Sequence, residues 1–278
     1  MRSRNETAVV ETGTILDRIA AHKRQEVDAR KCARSLKVLC RAAAQASPPR
    51  DFACALGAPG ISLITEVKRA SPSQGILCSN LDPSSLARAY VGGGAAALSV
   101  LTDLRFFGGT LQDLQDVHDT VPVPVLRKDF ILDPYQVYEA RAGEADAVLL
   151  IMAILTNASY MELLALTRDL GMAALVEVHD RIELDRALAA GPRVVGINNR
   201  NLHTFEVTLD TTRTLARRVP EDRLIVSESG LYTPADLADM ARYGARCFLI
   251  GESLMRQDDV EAATRTILAN PRVAQGGL

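Results

Sequence analysis

Only 5 of the 32 basic side chains in this 278-residue chain are lysines. Three of them, Lys23, Lys31 and Lys37, fall in the first forty residues. The other two each follow an apolar run: Lys68 in "ISLITEVKRASPSQG" (61–75) and Lys128 in "VPVPVLRKDF" (121–130). Arginine is effectively never deprotonated, whereas lysine can give up a proton and shifts its pKa when desolvated. A general acid or a Schiff-base former must be lysine; a phosphate clamp or a surface charge need not be. In a chain that otherwise writes arginine, Lys68 and Lys128 are the candidates for proton chemistry or point-charge work.

Carboxylates occupy the same kind of position. Glu66 stands two residues before Lys68, which puts both side chains on one strand face. Glu177 ends "MAALVEV" (172–178), with His179 two residues on; Asn198 and Arg200 fall in "NNRNL" (198–202), and Glu228 and Ser229 in "SESG" (227–230). One charged residue at a strand end is most often a solvated loop start. Two acids with both of these lysines read instead as a site for general acid–base catalysis. Gly230 and Gly251, in "SESG" and "LIGES", let a backbone come close to an anion ahead of a helix N-terminus, although a tight turn wants glycine as well. Occurring after adjoining strands, the two point to a phosphorylated ligand. Phe106, Phe107 and Phe130 are half of the six phenylalanines and fall in loops on that same side. They read as a wall for an aromatic ring.

These residues can meet only if the elements beneath them are arranged in a ring. Eight apolar runs recur: 61–67, 95–101, 121–126, 146–152, 172–178, 193–198, 223–228 and 246–251. Their starts are spaced by roughly 22 to 34 residues, one strand plus one returning helix. The runs are apolar at nearly every position, as strands buried on both faces should be. Between them, "DPSSLARAY" (82–90), "DPYQVYEARAG" (133–143) and "TPADLADMARYG" (233–244) open on a cap residue followed by proline. Eight such units with right-handed crossovers predict a single (β/α)8 TIM barrel, whose chemistry sits at the C-terminal ends of the strands. A doubly wound open sheet is the alternative, weakened by the lack of GxGxxG after the first strand. Residues 1–60 read as an N-terminal helical extension packed on the barrel, with an amphipathic helix at 15–31 and, over 45–60, a loop that has room for a short helix. The barrel takes 61–270, and 271–278 is a frayed tail.

Composition narrows the function classes. The net charge is −2, 47% of residues are hydrophobic, and no basic patch marks a nucleic-acid or membrane surface. The longest apolar stretch, "AVLLIMAIL" (147–155), is too short to span a bilayer, and the polar N-terminus is no signal peptide. Five cysteines without CxxC spacing fit reduced thiols in a cytoplasm. Four histidines without HxxxH spacing make a zinc site improbable, so neither metal nor organic cofactor is expected.

As a set, the motifs "EVKRASPS", "LTDLRFFGGT", "LRKDFI", "LVEVHD", "GINNRNL", "SESGL" and "FLIGESLM" closely resemble the indole-3-glycerol phosphate synthase family, from about residue 14 to about 256 in order. "ILDRIAAHKRQEV" is similar to that family's extra N-terminal helix. The resemblance implies a step of tryptophan biosynthesis. In it, 1-(2-carboxyphenylamino)-1-deoxyribulose 5-phosphate becomes indole-3-glycerol phosphate, carbon dioxide and water. It further implies Lys128 as general acid at the ketone oxygen, Glu177 as acid/base for later proton transfers, and Lys68 as a catalytic residue that faces the substrate carboxylate or phosphate and can donate a proton in the dehydration. Glu66, Asn198 and Ser229 would orient these groups. Substrate-binding positions would be Ser71, Phe107, Phe130, Leu149, Arg200, Leu202 and Glu228, with Gly230, Gly251 and the backbone of Glu252 at the phosphate. Gln74 and Thr110 depart from the usual lysine and serine. The implied partner is a phosphorylated small molecule, and the implied state is a monomer or weak homo-oligomer. A Schiff-base aldolase using Lys128 and a non-catalytic metabolite-binding barrel are the competing readings.

Overall fold

Eight short apolar runs form eight parallel strands in a computed structural model of the chain, which describes residues 9–72, 75–78 and 80–269. They are β1 (Ser62–Val67), β2 (Ala97–Leu101), β3 (Val125–Lys128), β4 (Ala147–Ile151), β5 (Ala173–Val178), β6 (Val194–Asn198), β7 (Leu224–Glu228) and β8 (Cys247–Ile250). Each pairs with the next in the chain, and β8 pairs with β1 to close a barrel. All residues of β1, β2, β4 and β8 are buried, because barrel side chains pack inward and the outer face is covered by helices.

Thirteen α-helices are described: α1 (Ile15–Ala33), α2 (Leu36–Gln45), α3 (Phe52–Leu56), α4 (Pro83–Gly92), α5 (Leu104–Phe107), α6 (Leu111–Thr120), α7 (Pro134–Ala142), α8 (Asn157–Asp169), α9 (Arg181–Leu188), α10 (Asp210–Leu215), α11 (Pro234–Ala241), α12 (Glu252–Met255) and α13 (Val260–Leu268). The cap signals act as their chemistry dictates. Asp82, Asp133 and Thr233 accept hydrogen bonds from the first-turn N–H groups of Ser84, Tyr135 and Asp236. Proline takes the first helical position each time.

Two expectations shift. The third strand, expected over 121–126, runs instead from Val125 to Lys128. Pro122 and Pro124 have no N–H to give a ladder, so pairing starts only after them, although the Pro124 carbonyl still accepts from Leu98 N. Lys128 therefore belongs to the strand itself, in register with Leu101. The front section carries a second helix, α2, whose Leu39 packs with Val27 and Tyr135. The short helix in 45–60 is α3, while the tail at 271–278 and Gln74 lie outside the described residues.

The larger correction concerns Lys23, first grouped with the N-terminal lysines and set aside. Its ammonium is completely buried, 2.7 Å from Asp103, 2.9 Å from Asp129 and 2.8 Å from Glu26. Burial alone would push the proton off, but Asp129 and Asp103 more than offset it and raise the pKa above that of a free lysine. Asp129 also takes Arg127 at 2.9 Å, and Arg127 reaches Glu139 at 2.9 Å. The alternation of a strand explains the arrangement: Arg127 and Asp129 turn outward to this network while Lys128, between them, turns into the barrel.

Candidate active site

Lys128 stands at the focus of three carboxylates from three other strands. Its Nζ lies 3.4 Å from Glu228 Oε2, 3.7 Å from Glu66 Oε2 and 3.9 Å from Glu177 Oε2. Desolvation disfavours its charge, yet Glu228, Glu66 and Glu177 together outweigh that and hold the ammonium protonated well beyond the ordinary lysine range. The three acids are not equivalent. Glu66 has its own cation in Lys68 at 2.6 Å; against burial, Lys68 and Lys128 keep it ionised. Glu177 has His179, whose Nε2 is 3.2 Å from Oε1; against burial, that contact and Lys128 hold it well below the usual carboxylate range. Glu228 has only a share of Lys128, and its Oε1 is buried without a hydrogen-bond partner. Burial, with Glu177 and Glu66 nearby, raises its pKa well above that of a free glutamate despite Lys128. Of the three, Glu228 is the one whose charge the site favours least.

Around this cluster the strand ends build a cavity of about 660 Å³. Every residue proposed from the sequence except Phe106 lines it, from Glu66, Lys68 and Ser71 through Lys128, Leu149, Glu177, Asn198 and Glu228 to Glu252. Phe107 and Phe130 face one another at 6.0 Å between ring centroids and form one apolar wall. Phe106 does not join them: its ring stands edge-on to His22 of α1 at 5.9 Å, under the loop. Asn198 Oδ1 accepts from Ser229 Oγ at 2.9 Å and from Arg200 N at 3.0 Å, tying the ends of β6 and β7 together. Ser229 and Gly230 both have positive φ, 67° and 77°, so the backbone curls at the end of β7. That curl is the kind of main-chain concavity that suits an anion. The Glu252 carboxylate is turned onto Arg256 at 2.9 Å, which leaves only its backbone for such a ligand.

Gly251 needs its missing side chain for another reason than the one read from sequence. A Cβ there would stand 2.7 Å from the Glu66 Cβ and 2.9 Å from its Oε1. The glycine makes room for the Glu66 side chain. Sequence reading also missed Ile15, Leu16 and Ile19 of α1 as part of the cavity lining. The i, i+4 spacing of Ile15, Ile19, Lys23 and Val27 was the available signal: Lys23 sits on the apolar stripe.

The family model for indole-3-glycerol phosphate synthase matches residues 16–267, nearly the whole described chain. The chain belongs to that family. A relative of the same name from Azospirillum brasilense is 52% identical over 259 residues, covering 92% of this chain and 99% of its own. Another from Roseiflexus sp. (strain RS-1) is 50% identical over 264 residues, covering 91% and 98%. Among solved structures, thiamine phosphate pyrophosphorylase from Pyrococcus furiosus superposes with a TM-score of 0.56 at 15% identity, over 74% of this chain and 93% of that one. N-acetylmannosamine-6-phosphate 2-epimerase from Clostridium perfringens gives 0.55 at 16%, over 69% and 86%. At such identity these two speak for the barrel alone. Indole-3-glycerol phosphate synthases are carboxy-lyases of tryptophan biosynthesis, and this chain is one of the family.

Proposed function

We propose that the cavity carries out ring closure, decarboxylation and dehydration of 1-(2-carboxyphenylamino)-1-deoxyribulose 5-phosphate with side chains alone. One observation carries this reading: a buried ammonium, ringed by three acids, opens onto a cavity with an aromatic wall. Lys128 gives its proton to the substrate's ketone oxygen as the aromatic carbon attacks, so that no full alkoxide forms in a dry site. Carbon dioxide then leaves from that ring carbon and restores aromaticity. Glu177, ionised, takes up and returns protons as water is lost. Lys68, paired with Glu66, meets the substrate carboxylate, and Phe107, Phe130, Leu149, Arg200 and Leu202 surround the ring. Ser71 and Glu228 contact the substrate, and the backbone of Gly230, Gly251 and Glu252 receives the phosphate. Asn198 and Ser229 orient the end of β6 against that of β7.

The place a divalent cation would take among Glu66, Glu177 and Glu228 is filled by the Lys128 ammonium, which supports a reaction needing neither metal nor organic cofactor. Accordingly, turnover should be the same before and after exhaustive chelation; recovery of lost activity on adding a divalent ion would overturn this. In this reading residues 9–60 cap the barrel as part of the same unit, supported by the Lys23 contacts to Asp103 and Asp129. The proposal includes action as a monomer or weak homo-oligomer. The free cysteines among the described residues suit a reducing cytoplasm. Following the indole product by absorbance or fluorescence tests the activity. Absence of product with a folded protein would sink it, and borohydride trapping of substrate onto Lys128 would favour an aldolase instead.

A further inference from the structure

His179 has no part in the roles above, yet it is built in more tightly than any loop residue needs. Its side chain is 9% exposed and stands just past the end of β5. Glu183, in the first turn of α9, takes two contacts from it with one oxygen: the backbone N–H at 2.8 Å and ring Nδ1 at 3.0 Å. That fixes the ring plane and places the Nδ1 proton. The other nitrogen, Nε2, is thereby placed 3.2 Å from Glu177 Oε1, an ion-pair contact without the alignment of a hydrogen bond. With a carboxylate at each nitrogen, the imidazole is held as an imidazolium. Burial works against this, but Glu177 and Glu183 prevail and push its pKa up to about 10.

We infer that His179 is a positioning residue that divides the two oxygens of Glu177 between two tasks. Oε1 is held by the imidazolium, which is itself clamped by Glu183. Oε2 is left facing Lys128 and the cavity, and is the oxygen that exchanges protons. This rests on Glu177 being the acid/base of the reaction. The alternative, a relay passing protons from Glu177 through His179 to Glu183 and out, would need the ring first to give its Nδ1 proton to Glu183 and then to accept at Nε2, which has no aligned hydrogen bond to Glu177. The charges facing Glu177 from the surrounding elements are few. Lys128 comes from β3, Glu66 from β1 and Glu228 from β7, while Asn198 from β6 adds a neutral hydrogen bond. Of the two cations, Lys128 is shared among three acids, whereas His179 serves only Glu177 on the cavity side.

The test compares the parent with His179→Ala, His179→Gln and Glu183→Gln, measuring kcat and KM with the family substrate across pH. In His179→Ala, kcat should fall by roughly 10- to 100-fold, the cost of misplacing a reacting group by an ångström or less, with KM moving far less. His179→Gln keeps an N–H donor toward Glu177 and should recover part of the rate. It lacks the charge, so the acid limb of its kcat profile should lie at higher pH than the parent's. Glu183→Gln should move the same way by less. A relay would instead make the loss largest where proton exchange with solvent limits the rate and leave the acid limb in place. An unmoved acid limb in both glutamine variants, or a loss carried by KM, would overturn the inference. Long-range 1H–15N correlation spectra of the parent give a readout independent of turnover and of variant folding. The His179 ring should remain doubly protonated at pH 8, and loss of the second proton below that pH would overturn the assignment. Were the parent itself to show no turnover, the activity reading would fail while these spectra still decided the state of the ring.

Discussion

In the proposed reaction Lys128 is a lysine because its place in the barrel asks for a transferable proton. Lys128→Arg keeps the charge among Glu66, Glu177 and Glu228 but spreads it over a planar fork, so that no N–H stands where the compact ammonium presents one. Turnover should fall by at least about 10²-fold, within the 10²–10⁴ range for general acid–base catalysis, while substrate affinity changes much less. The exposed Lys37→Arg is the control and should be silent. A Lys128→Arg enzyme within a few-fold of the parent would reduce Lys128 to a point charge and make Lys68 the acid. Gly251→Val tests a second residue: its branched side chain would enter the space of the Glu66 side chain, 2.7 Å from the present Cβ position. Because Glu66 holds Lys68 at 2.6 Å and lies 3.7 Å from Lys128, kcat should fall along with any rise in KM. A change confined to KM would return Gly251 to the phosphate alone.

At the scale of elements, what could be read from the sequence was what each residue announces through local rules. Aspartate–proline and threonine–proline caps opened α4, α7 and α11 at the positions expected, since capping depends on neighbours three residues away. What could not be read depended on partners far along the chain. The start of β3 was displaced because two prolines cannot donate, a fact written locally but masked by an apolar run. Phe106 left the aromatic wall because α1 offers it His22, more than eighty positions earlier. Lys23 was the costliest miss, since its partners Asp103 and Asp129 lie on other elements. It pins α1 to the N-cap of α5, which carries Phe107, and to the residue between Lys128 and Phe130. Lys23→Met would leave both aspartates buried without that cation. Removing one partner of a buried pair costs about 3–5 kcal/mol. For a chain of this length that lowers the thermal midpoint by roughly 10 °C. Differential scanning calorimetry reads this directly, and a midpoint within about 2 °C of the parent would show that the network contributes little, as exposed pairs do.

For the whole molecule, the buried charges set a window of pH in which the fold is most stable. Glu66 and Glu177 are held below their ordinary value of 4.5, and Asp129 below 3.8. A carboxylate with a depressed folded pKa stabilises above its ordinary value and loses that contribution as pH falls through the folded one, so the acid side declines below about pH 4.5. Two groups act on the other side. His179 is raised from 6.5 to about 10, so its contribution is complete below 6.5 and fades as pH climbs toward 10. Glu228 is raised as well, and its proton, favourable at low pH, is lost on the way up. The thermal midpoint should therefore peak below neutrality, between about pH 4.5 and 6.5, and slope downward toward pH 10. Two variants separate the contributions. Glu228→Gln cannot ionise and should gain on the parent steadily as pH rises. His179→Gln should be weaker than the parent at pH 6, with the gap closing toward pH 10, where the parent's imidazolium is itself giving up its proton. Thermal unfolding of the three proteins across this range checks both slopes. Curves that run parallel to the parent's would mean that neither Glu228 nor His179 shapes the pH dependence, and that the charges around Lys128 balance without them.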